Sequence, residues 1–250
     1  MDLGLDGCVF IVSGGSRGLG LAAARALVAD GARVLVSGRD GHAVLAASAE
    51  LRTDRAIGIA ADNADPQAAE RLVAAAVARF GRLDGALVSV GGPPAGRMDQ
   101  VDDGTWRSAF ESVFLGSVRL ARAVAGQLPP RGGAIAFVLS TSVREPIPGL
   151  AISNGLRPGL AMVAKQMATE LGPRNIVNGL LPGRIATDRL QGLNSGGSDA
   201  DLLAARAAVP MGRDGTPDEF GRVAAFVLSP AASYLTGAMI PVDGGALHGL

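Results

Sequence analysis

The sequence predicts a doubly wound α/β domain, a parallel sheet with helices on both of its faces. Three observations predict it. Short, nearly continuous apolar runs recur along the chain, each bounded by glycine or a polar residue, as strands buried on both faces require. Longer segments with apolar residues at helical spacing separate them, and a crossover returning to the same sheet packs on it with one handedness. A glycine-rich loop followed by an alanine-rich segment comes directly after the first run.

In chain order the strand candidates are CVFIVS (8–13), RVLVS (33–37), AIGIA (56–60), DGALVSV (84–90), GAIAFVLS (133–140), NIVNGLL (175–181) and GAMIPVD (237–243), giving a sheet of seven strands. Helical spacing marks LAAARALVAD (21–30), PQAAERLVAAAVARF (66–80) and TWRSAFESVFLGSVRLARAVAGQL (105–128) between them. A further helix runs to about residue 171, but Gly155, Pro158 and Gly159 fall near its beginning. Proline inside a helix costs about 3 kcal/mol, so this helix is expected to start late or kink. Residues 184–216 are the least regular and read as a flap, with the glycine-rich stretch 192–197 as a lid over substrate.

Length and composition set the broad class. With 250 residues, 48% of them apolar, the chain can bury one core, and residues 1–250 read as a single domain. The 23 basic and 23 acidic residues cancel and are interspersed, which argues against nucleic acid or an anionic membrane as partner. Cys8 has no second cysteine to pair with and reads as a small buried hydrophobe. The N-terminal MDLGLDG has no signal pattern, and no apolar stretch is long enough to span a bilayer; a cytoplasmic protein is expected. No grouping of histidine, cysteine and acid suggests a metal, and His42 and His248 read as non-catalytic. Trp106 and Met162 read as packing residues.

The loop SGGSRGLG carries Gly14, Gly18 and Gly20, with Ser16, Arg17 and Leu19 between them. Glycines here let the backbone turn tightly and approach a pyrophosphate, which then rests on the free N–H groups at the helix start. Its place, after the first strand and opening a helix, points to dinucleotide binding.

The Gly-x3-Gly-x-Gly spacing resembles the short-chain dehydrogenase/reductase family, and the resemblance covers essentially the whole chain, implying a single-domain Rossmann fold. Asp62, with Asn63 beside it, matches the family's adenine-contacting aspartate; the lesser alternative is a loop acid acting as a cap. SVGG (89–92), containing Gly91, stands where the family has Asn-Asn-Ala-Gly. LLPGRIAT (180–187) matches the proline-glycine segment near the nicotinamide, with Pro182, Gly183 and Thr187, and SYLTGAMIPVDGG (233–245) resembles the C-terminal signature. Pro182 and Gly183 could simply turn the chain, and Thr187 could cap a helix. After the second strand, Gly38 occupies the family's acidic position and Arg39 follows, with Arg17 in the glycine loop as a second guanidinium. Two arginines suit a 2′-phosphate, so NADP(H) is expected over NAD(H), with Asp40 read as the cap of the next helix.

The family's catalytic residues are a serine, a tyrosine with a lysine four residues on, and an asparagine. Ser140 matches the serine. Thirteen residues on, in SNGLR, Ser153 stands for the tyrosine, Arg157 for the lysine, and Val113 replaces the asparagine. The one tyrosine, Tyr234, and the one lysine, Lys165, lie elsewhere. The chain therefore resembles a divergent subgroup with Ser-x3-Arg. Serine is a far weaker acid than tyrosine and arginine stays charged. Arg157 could still stabilise negative charge on a carbonyl oxygen or clamp a carboxylate, while Ser140 and Ser153 orient the oxygen. Ser142 reads as structural. The reading is an NADP(H)-dependent oxidoreductase acting on a small-molecule carbonyl or alcohol; the alternative is an inactive NADP(H)-binding or sensing protein. Pairing of Arg157 with Glu145 is the structural alternative. The segments 105–128 and 159–171 have more apolar positions than one sheet-facing stripe needs, and the family resemblance implies that these helices pair in a homodimer or homotetramer.

Overall fold

A computed structural model describes residues 2–196 and 198–249. Its strands are β1 (Val9–Val12), β2 (Arg33–Gly38), β3 (Ala56–Ala60), β4 (Gly85–Val88), β5 (Ala134–Val138), β6 (Ile176–Pro182) and β7 (Met239–Val242). They form one sheet in the order β3-β2-β1-β4-β5-β6-β7, parallel throughout. The order reverses between β1 and β4, which opens a crevice at the carboxyl ends of these strands.

The helices are α1 (Gly18–Ala29), α2 (Gly41–Glu50), α3 (Ala68–Phe80), α4 (Asp103–Ala109), α5 (Gly116–Ala125), α6 (Ala151–Leu171), α7 (Asp188–Asn194), α8 (Asp199–Ala207) and α9 (Pro217–Leu228). Strand residues alternate between two cores, as a period of two demands. Phe10 and Val12 pack with α1, α2 and α9, while Val9 and Ile11 face α3, α5 and α6. Asp84, just before β4, is buried and accepts from the Val9 N–H at 2.8 Å and from both Arg82 Nε and Nη2. It thereby fixes β4 against β1.

The helix expected to start late begins early: α6 runs unbroken from Ala151 with Pro158 inside it. Its buried side, Ile152, Leu156, Leu160, Ala161 and Ala164, outweighs the local cost of the proline. The two glycines have packing reasons. A Cβ on Gly155 would lie 2.8 Å from the Trp106 ring, and one on Gly159 would lie 2.9 Å from the Phe114 ring. Between α4 and α5 the helix widens to a π segment, Phe110–Leu115, that contains Val113.

Two packing expectations need correction. Cys8 precedes β1 and is only half-buried, because it lies outside the strand run. Met162 points to solvent from α6, opposite the face that meets the sheet. In the flap, α7 and α8 account for much of the chain between 184 and 216; Gly197, within the proposed lid, lies outside the described residues. The base of the flap is pinned, since Ile185 bridges Gly215 and Asp214 bonds Arg184 and Arg206 at 2.8 and 2.9 Å.

Candidate active site

The crevice is built first by the loop after β1. Gly14 and Gly18 take positive φ values of 58° and 55°, where a Cβ would be strained. A Cβ on Gly20 would run into the Gly14 carbonyl, so the loop folds tightly onto the start of α1. Ser13, standing for the family's threonine, donates to Ser89 O and accepts from Ser89 N, tying the ends of β1 and β4. No side chain caps α1 at Arg17, and its first N–H groups face the crevice as free donors. This backbone could accommodate a pyrophosphate, and Gly14, Ser16, Arg17, Gly18, Leu19 and Gly20 are the residues that could hold it.

At the end of β2, Asp40 caps α2 by accepting from His42 N and Ala43 N. The carboxylate is thus turned to the helix, and Arg39 and Arg17 are exposed, neither with an ion-pair partner among the described residues. After β3, Asp62 accepts from Ala64 N at 3.0 Å in a loop turn, and Asn63 packs its backbone against α5 at Gly116. Gly91 is exposed beyond β4. Pro182 ends β6, and Gly183 donates to Val242 O while lying close to Asp243. Thr187 faces Gly18 with its methyl and caps α7, accepting from Leu190 N at 3.4 Å. The helix-cap reading of Thr187 is therefore met.

Beyond β4 lies the second half of the crevice. Ser153 and Arg157, one turn apart in α6, are both buried, and so share a face, although no bond joins them. Ser153 Oγ lies 3.1 Å from Ser142 Oγ. Ser140 Oγ instead accepts from Ser142 N at 3.1 Å, capping the turn Thr141–Val143. The serine in contact with Ser153 is therefore Ser142, which sequence reading took as structural; the direction of a side chain in a short turn is not legible from spacing.

Arg157 is 5% exposed. Its Nη1 donates to Val138 O at 2.8 Å and its Nη2 reaches Val90 O at 3.5 Å, bridging the ends of β5 and β4. These neutral acceptors orient the guanidinium without cancelling its charge. Glu145 is not its partner, and no carboxylate lies within 4.0 Å of it among the described residues. Burial, with the positive charge of Arg189 added, pushes its pKa down to about 10. It stays protonated at neutral pH.

Arg189 was missed by sequence reading. It follows Thr187 by two residues, and only the fold swings it across to the loop after β4, where Nη2 donates to Pro93 O at 2.6 Å. Burial lowers its pKa as well. The tyrosine and the lysine are engaged elsewhere, Tyr234 being fully exposed and Lys165 Nζ donating to Gly237 O, while Val113, at the asparagine position, is packed in the core.

Comparison with known proteins agrees with this architecture. A family model described as enoyl-(acyl carrier protein) reductase matches residues 14–247. An uncharacterized oxidoreductase of Methylorubrum extorquens is 34% identical, with 96% of this chain and 98% of that protein covered. The L-sorbose reductase of Gluconobacter frateurii, solved with NADPH and L-sorbose, superposes with a TM-score of 0.92 at 28% identity over both whole chains. A short chain oxidoreductase of Pseudomonas aeruginosa PAO1, described as containing an atypical catalytic center, gives 0.91 at 27% identity, covering 99% of this chain and 100% of that one.

Proposed function

The chain belongs to the short-chain dehydrogenase/reductase family of oxidoreductases, and on that premise we propose that it reduces a small-molecule carbonyl with NADP(H), using fixed positive charge at Arg157 in place of a side-chain acid. The observation that carries the reading is the buried, uncancelled guanidinium of Arg157 at the ends of β4 and β5.

A nicotinamide dinucleotide, when bound, supplies the hydride. Its pyrophosphate would rest on the Gly14–Gly20 loop, and its 2′-phosphate would meet Arg17 and Arg39, whose freedom from ion pairs supports NADP(H) over NAD(H). Asp62, Asn63, Gly91, Pro182, Gly183 and Thr187 complete the cofactor-binding set.

As a carbonyl oxygen gains negative charge, Arg157 stabilises it without being reoriented, because Val138 O and Val90 O already hold the guanidinium. Serine cannot donate as an acid at neutral pH. The hydroxyl pair Ser142–Ser153, at 3.1 Å, instead passes a proton from water to the nascent alkoxide, and Ser140 fixes the turn that presents Ser142.

The test is titration with NADPH and NADH followed by turnover on a carbonyl panel. Tighter NADPH binding and oxidation of NADPH on at least one carbonyl are expected. Tight binding without turnover on any carbonyl would make the protein an NADP(H)-binding or sensing protein instead.

A further inference from the structure

Two guanidinium groups converge on one short stretch, residues 90–93. Arg157 reaches Val90 O at 3.5 Å from within the protein, and Arg189 donates to Pro93 O at 2.6 Å from the flap side. Gly92 lies between them and leaves room for the second arginine, since a Cβ there would fall 2.7 Å from Arg189 Nε. Neither arginine has a carboxylate within 4.0 Å among the described residues; the partners given above are neutral carbonyls.

A buried guanidinium with a second one beside it at the surface is costly unless an anion joins them. A guanidinium presents several donors in a planar fork that fits a carboxylate. We propose that the substrate is an oxo acid, whose carboxylate is bound by Arg189 while its reacting carbonyl faces Arg157. This deepens the carbonyl-reductase reading and rests on it.

The anion could in principle be the cofactor's pyrophosphate. The sheet order argues for the substrate: the glycine loop follows β1, whereas the carbonyl that anchors Arg157 most firmly, Val138 O, lies on β5, beyond β4. Arg157 thus lies on the side of β4 away from the phosphate loop, and Arg189 reaches towards it from the flap, donating to Pro93 O.

Isothermal titration of the NADPH-bound protein with 3-hydroxybutanoate and with its methyl ester tests the inference, because neither compound can be reduced. The acid is expected to bind about tenfold or more tightly than the ester, and Arg189→Gln to erase that difference while changing the NADPH affinity by less than about twofold. Arg189 is exposed, so this variant is expected to fold; an unchanged melting temperature checks it. An acid that binds no tighter than the ester, including no binding of either, overturns the inference. Loss of NADPH affinity in Arg189→Gln also overturns it and assigns the arginine to the cofactor. Turnover of acetoacetate and methyl acetoacetate separates the two readings. Charge-selective binding without turnover keeps the anion site and removes the reductase; turnover of both alike does the reverse.

Discussion

Arg157 shows how a charge can be kept in a dry site. Val138 O and Val90 O satisfy donors, yet the net charge survives, and burial together with Arg189 lowers the pKa from the ordinary guanidinium range to about 10. Below about pH 10 the folded protein carries the guanidinium charged and bears its full desolvation cost, which is relieved only as pH rises from there towards the ordinary guanidinium range. Activity that depends on this charge should fall only above about pH 10, as read from kcat/KM against pH. Ser142 and Ser153 share one bond, so Ser142→Ala and Ser153→Ala should each lower kcat, and the double variant should lower it little further. Away from the site, Asp84→Ala leaves the buried Val9 N–H without an acceptor and Arg82 without its partner. A loss of about 2–4 kcal/mol in chemical denaturation is expected.

At the scale of elements, the strands were legible because Val, Ile and Leu runs bounded by glycine can be buried only in a central parallel sheet. All seven runs became strands. The start of α6 was not legible: Pro158 is a local penalty, while the apolar residues that override it gain only from contacts distant in sequence. The same holds for Gly155 and Gly159, which read as helix breakers but make room for Trp106 and Phe114. Half of the site was hidden likewise. Ser153 and Arg157 were singled out through the family resemblance, in register with Ser140, whereas Arg189 and the contact of Ser142 depend on how the flap and a short turn fold back. In α9, Thr216 and Glu219 form a reciprocal cap, and Arg213 also binds Glu219. These bonds, that from Arg213 first, draw the Glu219 pKa from 4.5 down to about 2. The cap's contribution is thus complete above about pH 4.5 and is lost as pH falls through about 2; Glu219→Gln should flatten the melting temperature between these limits.

For the whole molecule, the flap is a closed loop pinned at its base. Burial alone would raise the Asp214 pKa, but the bonds from Arg206 and Arg184 outweigh it and lower the value. The clamp holds above the ordinary carboxylate range and loosens in acid. Asp214→Asn should speed limited proteolysis between residues 187 and 213, with cleavage slowed again by NADPH and substrate if this segment closes as a lid. No helix among the described residues is long and apolar enough to cross a membrane. Phe110 and Met162, both exposed, lie on the helices expected to pair between subunits, so light scattering should give a homodimer or homotetramer. The central claim is that a fixed charge replaces the acid. The measurement that meets it most directly is kcat/KM of Arg157→Lys and Arg157→Met on a reducible oxo acid, with NADPH affinity measured alongside. Loss of about 10²-fold or more in Arg157→Met, partial recovery in Arg157→Lys and little change in NADPH affinity are predicted; full turnover in Arg157→Met would contradict it.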